Sequence, residues 1–171
     1  MRFLKQIFIG LLVFAILLFG ISLLLPSGIN VSKSVLVYAN HQKVNSTIAD
    51  LTQWKNWNPI LQDPQIRYEI ATPQQVSWKS RDGIAQEIAL EQAAPDSISI
   101  TIRSDGKQVF TSGFNTISHQ QDSLLTKVEW WISEDLKWYP WQKFYGLFAE
   151  SFRDAYMENT LQSLKDYLEF K

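Results

Sequence analysis

Hydrophobic and polar positions follow three different rhythms along this chain. From Ile7 to Leu25 the residues are apolar almost without a break, interrupted by a polar side chain only at Ser22 and preceded by Arg2 and Lys5. At roughly 1.5 Å per residue such a run covers a bilayer's hydrocarbon core of roughly 30 Å, so it predicts a membrane-spanning helix over residues 7–25. A cleaved secretory signal fits less well, because Ile21-Ser22-Leu23-Leu24-Leu25-Pro26 puts bulky leucines where a peptidase needs small residues. Gly10 and Gly20 do not form a G-x-x-x-G pair, so the span offers no recognisable dimerisation face. The basic residues ahead of the span predict a cytoplasmic N-terminus and an extracytoplasmic remainder, with Lys33 and Lys43 diluting the asymmetry. The expected division is residues 1–28 as anchor and linker and 29–171 as one domain. Pro26 to Asn30 then form a five-residue leash, which at about 3.5 Å each holds the domain within roughly 20 Å of the membrane.

Beyond the leash the period becomes two. Val31, Val35 and Val37 share one parity and predict a strand over Val31–Ala39. Asn40 then caps a short helix over Gln42–Asp50, with Val44 and Ile48 on one stripe, and a second helical turn carries Leu51, Trp54 and Trp57 up to Asn58-Pro59. Short strands follow at Ile66–Ile70, Gln75–Ser80, Ile84–Leu90, Ile98–Ile102, Val109–Ser118 and Leu124–Ile132, punctuated by Arg81-Asp82-Gly83, Ala94-Pro95-Asp96 and Asp105-Gly106. After Pro140 the rhythm changes to 3.6. Trp141–Phe170 contains no proline and reads as one long helix, with Phe144, Phe148 and Phe152 on one stripe and Leu161, Leu164 and Leu168 further along. Two short helices, a meander of antiparallel strands and one long C-terminal helix describe an α+β domain whose sheet packs against that helix.

Charge and composition narrow the function classes. Sixteen Lys and Arg against seventeen Asp and Glu, with two of the cations ahead of the span, leave no basic patch of the kind that tracks phosphates, so nucleic acid is not an expected partner. The absence of cysteine removes disulfides, thiolate nucleophiles, lipoprotein processing and most structural zinc sites. Asn30-Val31-Ser32 and Asn45-Ser46-Thr47 match the glycosylation sequon, a pattern too short to carry weight. His41 and His119 have no ligand or nucleophile at a recognisable spacing and read as surface residues. No G-x-S-x-G elbow, H-E-x-x-H or glycine-rich phosphate loop is present, and no cofactor or metal is expected. Glu129 lies beside Trp130 and Trp131, but alternation turns it to the solvated face.

Ser34-Val35-Leu36-Val37-Tyr38-Ala39, then Lys43-Val44, then Asp50-Leu51-Thr52-Gln53-Trp54-Lys55-Asn56-Trp57-Asn58-Pro59 with Asp63-Pro64 beyond, resemble the opening of START-related, polyketide cyclase-like (SRPBCC) proteins. The Trp54-x-x-Trp57-x-Pro59 stretch is the most specific part; strand order and Leu161-Gln162-Ser163-Leu164-Lys165 agree with it, and the resemblance covers about Ile29 to Phe170. It implies a helix-grip fold, a curved antiparallel sheet of about seven strands around the C-terminal helix with a hydrophobic cavity between them. It implies no particular activity, since relatives include lipid carriers, hormone receptors and cyclases.

Trp54, Trp57, Trp78, Ile100, Phe114, Trp130, Phe144, Phe148 and Phe152 are the expected lining of that cavity. Trp138, Tyr139 and Trp141 are expected either in the core or at the cavity mouth or bilayer headgroup layer, where an indole keeps one edge wet. The expected function is a membrane-anchored binding domain for a lipid or other hydrophobic small molecule. Two alternatives stand beside it. A cyclase- or hydrolase-like enzyme would need a polar group in the cavity, for which Ser112, Thr116 and Thr126 are the candidates by parity. A structural envelope protein would fill the cavity with its own seven tryptophans and ten phenylalanines.

Overall fold

The computed structural model describes residues 2–119 and 122–170. The apolar run forms α1 (Arg2–Leu23), within which the Ser22 hydroxyl donates to Phe19 O one turn back, so this polar side chain is satisfied inside the helix. The alternating segments form β1 (Gly28–Tyr38), β2 (Arg67–Ala71), β3 (Gln75–Lys79), β4 (Ala85–Ala93), β5 (Ser97–Ser104), β6 (Lys107–His119) and β7 (Asp122–Asp135). They make one seven-stranded antiparallel sheet in the order β1-β7-β6-β5-β4-β3-β2. Register shifts at Tyr68/Ile70, Leu90/Gln92 and Ile102/Arg103 insert the extra residues that bend a sheet, and they accompany its curvature.

α2 (His41–Ala49) and a 3₁₀ turn (Leu51–Asn56) cross from β1 to the meander. Asn40 caps α2 as its sequence requires, accepting from Lys43 N at 2.8 Å. Asp50 caps the turn, its carboxylate accepting from Thr52 N at 3.0 Å, Thr52 Oγ1 at 2.6 Å and Gln53 Nε2 at 3.1 Å. Burial pushes the Asp50 carboxyl up, but these bonds together outweigh it and hold the group below its ordinary value. Asp50→Ala is therefore expected to lose about 1 kcal/mol at neutral pH. Because the folded-state value is the depressed one, the deficit is full above the ordinary carboxylate value of about 4 and shrinks as pH falls through the lower folded value; denaturant titrations at several pH values check both parts.

The long helix, α3 (Pro140–Glu169), lies along β1 with Ala149, Met157, Leu161, Leu164 and Leu168 buried. Gly146 of α3 faces Leu136 and, on β1, Ile29: a Cβ there would lie 2.6 Å from Leu136 Cδ1, the tip of a flexible side chain, and 3.8 Å from Ile29 Cγ1. Lys33 on β1 pairs with Asp154 at 3.1 Å and Glu158 at 3.2 Å on α3, and hydrogen bonding, to Asp154 first, raises the lysine above its ordinary value.

The leash is shorter and firmer than the sequence suggests. β1 begins at Gly28, paired with Asp135, so only Leu24 to Ser27 separate it from α1. Ser27 O accepts from Leu136 N at 2.8 Å, and the buried Lys143 ammonium of α3 donates to Pro26 O at 3.0 Å and to the Ser27 hydroxyl. Phe19 of α1 meets Trp138 edge-on at 6.3 Å. The domain is pinned to the end of its apolar helix.

Candidate functional site

The centre of the grip is filled. Trp54 and Trp57 pack at 4.9 Å and both meet Phe114 edge-on; Phe114 stacks on Trp130 at 5.4 Å, and Trp130 meets Tyr156 of α3 at 5.5 Å. Two of the three indole nitrogens are satisfied, Trp54 Nε1 donating to Ile48 O at 2.8 Å and Trp130 Nε1 to Ser112 Oγ at 2.7 Å, while the buried Trp57 Nε1 has no partner among the described residues. These rings join the short helical segments, the sheet and the long helix into one core.

Open space lies beside this ladder, between the end of β3, the loop after the 3₁₀ turn and α3. A pocket of about 440 Å³ has Pro59, Ile60, Ile66, Trp78 and Tyr156 as its apolar walls. Its polar groups, Asp63, Gln65, Ser80, Arg81 and Asp82, include an ion pair between Arg81 and Asp63 at 3.6 Å. The Ser80 hydroxyl is shielded from solvent and has no hydrogen-bond partner among the described residues. Burial pushes the Tyr156 hydroxyl up, and the Thr160 and Asn58 side chains draw it partly back, so at neutral pH it is a neutral phenol at the inner wall. The volume lies in the range of ligand pockets, about 300–1,000 Å³, with apolar walls and a few polar groups as such pockets have. A second hollow of about 410 Å³ lies between the 3₁₀ turn and β2–β3, lined by Leu51, Leu61, Tyr68 and Val76 among others. Tyr68 closes one side of that hollow by donating its hydroxyl to Leu61 O, and burial pushes its pKa up.

The nine residues expected to line a cavity are distributed over several places. Trp78 lines the pocket; Trp54, Trp57, Phe114 and Trp130 form the ladder behind it; Ile100 is buried in the middle of the sheet. Phe144 is half-buried, while Phe148 and Phe152 point outward, 62% and 73% exposed. Their placement differs from the expectation because α3 carries two apolar stripes. Its contact with β1 is made by the stripe with the small residues Gly146 and Ala149, which turns the phenylalanine stripe away. Tyr139 stacks on Trp141 at 4.9 Å and touches Trp138 at 5.0 Å, with Trp138 and Trp141 about two-thirds exposed (65% and 68%).

The three inward hydroxyls are all engaged in the fold. Ser112 Oγ donates to Trp131 O at 2.8 Å, Thr126 Oγ1 donates to Ala39 O at 2.8 Å, and Thr116 Oγ1 pairs with His41 Nε2 at 2.9 Å. His41 is accordingly half-buried, joining α2 to the sheet and to Asp96 at 3.2 Å, and is not the surface residue its sequence context suggests. Among the described residues no group of three or more His, Cys, Asp and Glu side chains is placed to hold a metal ion. Sequence reasoning missed Ile60, Ile66, Ser80, Arg81 and Tyr156. Only Tyr156 had a readable signal, four residues beyond Phe152 on the same stripe.

The fold is shared with solved structures of low sequence similarity. A START superfamily protein from Mycobacterium smegmatis superposes with a TM-score of 0.58 at 18% identity, over 81% of this chain and 96% of that one. The protein XoxI from Bacillus cereus gives 0.56 at 13%, over 82% and 95%, and the Aha1 dimer from Colwellia psychrerythraea gives 0.54 at 13%, over 82% and 96%. No curated protein is similar enough in sequence to count as a match. Residues 28–169 match the family described as "Polyketide cyclase / dehydrase and lipid transport", a span that includes the whole sheet and α3. The chain belongs to that family.

Proposed function

We propose that this protein is a membrane-anchored binding domain that accepts a lipid or other hydrophobic small molecule in the pocket between β3 and α3. The pocket of about 440 Å³ walled by Ile60, Ile66, Trp78 and Tyr156 carries this reading. The family's description, which includes lipid transport, agrees with it. Engagement of Ser112, Thr116 and Thr126 in structural bonds favours binding over the enzyme reading. Residues 1–28 serve as the anchor and 29–171 as the binding domain. α1 is long and apolar enough to cross a bilayer and presents its side chains outward along almost its whole length, unlike the core helix of a soluble protein.

Ile60 is 44% exposed at the pocket wall, so Ile60→Glu costs the fold little and puts a charge where an apolar occupant would sit. Binding of a pyrene-labelled fatty acid to the full chain in detergent-free nanodiscs, read by quenching of tryptophan fluorescence, is expected to weaken at least about tenfold in the variant. Equal binding by both proteins would remove the pocket from the account. Arg2 and Lys5 ahead of the span favour an extracytoplasmic domain, with Lys33 and Lys43 weakening the asymmetry. As the chain has no cysteine, Gln162→Cys gives a single label site, expected to react with a membrane-impermeant maleimide on intact cells. Labelling only after lysis would reverse the orientation.

A further inference from the structure

The outward stripe of α3 is the largest feature that the pocket does not use. Trp141, Tyr145, Phe148 and Phe152 are 68%, 46%, 62% and 73% exposed, and with Tyr156 they recur every three or four residues. At about 100° per residue the five side chains fall within an arc of about 80°, a continuous apolar ribbon about 22 Å long. Monomeric domains rarely leave so much contiguous apolar surface uncovered without a use for it.

Both ends of the ribbon meet something specific. At the start, Trp141 stacks on Tyr139, Tyr139 packs on Trp138, and Trp138 meets Phe19 in α1. At the finish, Tyr156 is a wall of the binding pocket. Past Tyr156 the same face of α3 turns polar, at Asn159, Ser163 and Asp166, so the ribbon ends where the pocket begins. Arg153, next to Phe152, does not interrupt it, because its guanidinium turns toward the sheet, over the Phe110 ring at 5.3 Å and onto Glu134.

We propose that this ribbon is a loading track, along which a hydrocarbon chain of a bilayer lipid passes from the leaflet around α1 to the pocket at Tyr156. This rests on the membrane-anchored binding reading above. The apolar span and the apolar pocket are the ribbon's two neighbours, and its length is of the order of a lipid chain. One leaflet of hydrocarbon is about 15 Å deep, so a chain drawn from it reaches along about two-thirds of the ribbon, past Phe148, as its other end leaves the bilayer. Pinning of the domain to α1 by Lys143, Pro26 and Ser27 keeps the ribbon's start at the membrane face.

The test uses the full chain in nanodiscs of phosphatidylethanolamine and phosphatidylglycerol, with p-benzoylphenylalanine at position 60 to trap whatever enters the pocket on illumination. Phe148→Ser and Phe152→Ser together, both at exposed positions, are expected to slow lipid trapping several-fold, while trapping of dodecanoate supplied from water stays unchanged. Unchanged lipid trapping overturns the track and leaves the pocket reading standing. Equal loss for lipid and dodecanoate also overturns it, because the stripe would then be supporting the pocket itself. No adduct of either kind in the parent protein fails the pocket reading, and the track with it. With the photoprobe at position 152 instead, an adduct to a lipid chain is expected, and an adduct to a second copy of the protein would mark the ribbon as a self-association face and overturn the proposal.

Discussion

Trp130→Ala is expected to destabilise the fold by about 4 kcal/mol, the middle of the range for removing a buried aromatic side chain. Trp130 is 3% exposed and occupies the middle of the ladder, between the Phe114 face and the Tyr156 edge. Truncation removes the ring's burial, separates the sheet's aromatic pair from α3, and leaves a void that Phe114 and Tyr156 cannot fill without leaving their own partners. It also deletes the indole donor to Ser112 Oγ, although that hydroxyl keeps its bond to Trp131 O. Trp130→Phe preserves most of the stacking and loses the donor, so a deficit of about 1–2 kcal/mol is expected. Denaturant unfolding of the full chain in micelles, followed by tryptophan fluorescence, compares the two variants. A deficit below about 1 kcal/mol for the alanine variant would mean that the ladder does not hold helix and sheet together.

Gly113→Ala is expected to cost about 3 kcal/mol despite adding a single methyl group. Gly113 sits in β6 opposite Trp131 of β7, and the Trp131 ring lies across it. A Cβ there would come within 2.4 Å of Ile98 O and 2.5 Å of the Trp131 ring. Neither neighbour can yield cheaply, since one is backbone of the paired strand and the other is the body of an indole. Gly146→Ala is the informative comparison. Its Cβ would meet Leu136 Cδ1 at 2.6 Å, but that atom ends a flexible side chain, and alanine gains helix propensity of roughly 0.5–1 kcal/mol over glycine. The helix variant should therefore stay within about 1 kcal/mol of the parent, and a reversed order of the two effects would contradict this account of the packing.

Much of the fold is legible because local chemistry and tertiary need agree. Asn40 is a good cap where a helix must begin, and the two-residue spacing of Ile98, Ile100 and Ile102 matches a strand buried on one face. Strand ends are less legible: Gly28 to Asn30 carry no alternation, and they join β1 because β7 continues far enough to pair with them. The rotation of α3 is not legible either. Phe148 and Phe152 form as good a stripe as Met157, Leu161 and Leu164, and the sequence does not say that the stripe with Gly146 and Ala149 is the one that fits against Ile29 and Leu136. The pocket is less legible still, as its walls come from the loop at Pro59 and Ile60, the end of β3 and a helix nearly a hundred residues later in the chain. Hydrophobicity of Trp54, Trp57, Phe114 and Trp130 marked them as interior, but it could not separate side chains that fill a cavity from those that border one.

Native mass spectrometry of the full chain released from nanodiscs addresses the pocket most directly. The expected spectrum shows the intact chain carrying one apolar molecule, with the adduct lost in Ile60→Glu while the protein stays folded. A parent protein that emerges bare under conditions gentle enough to keep it folded, and that stays bare after incubation with fatty acid, would contradict the binding function.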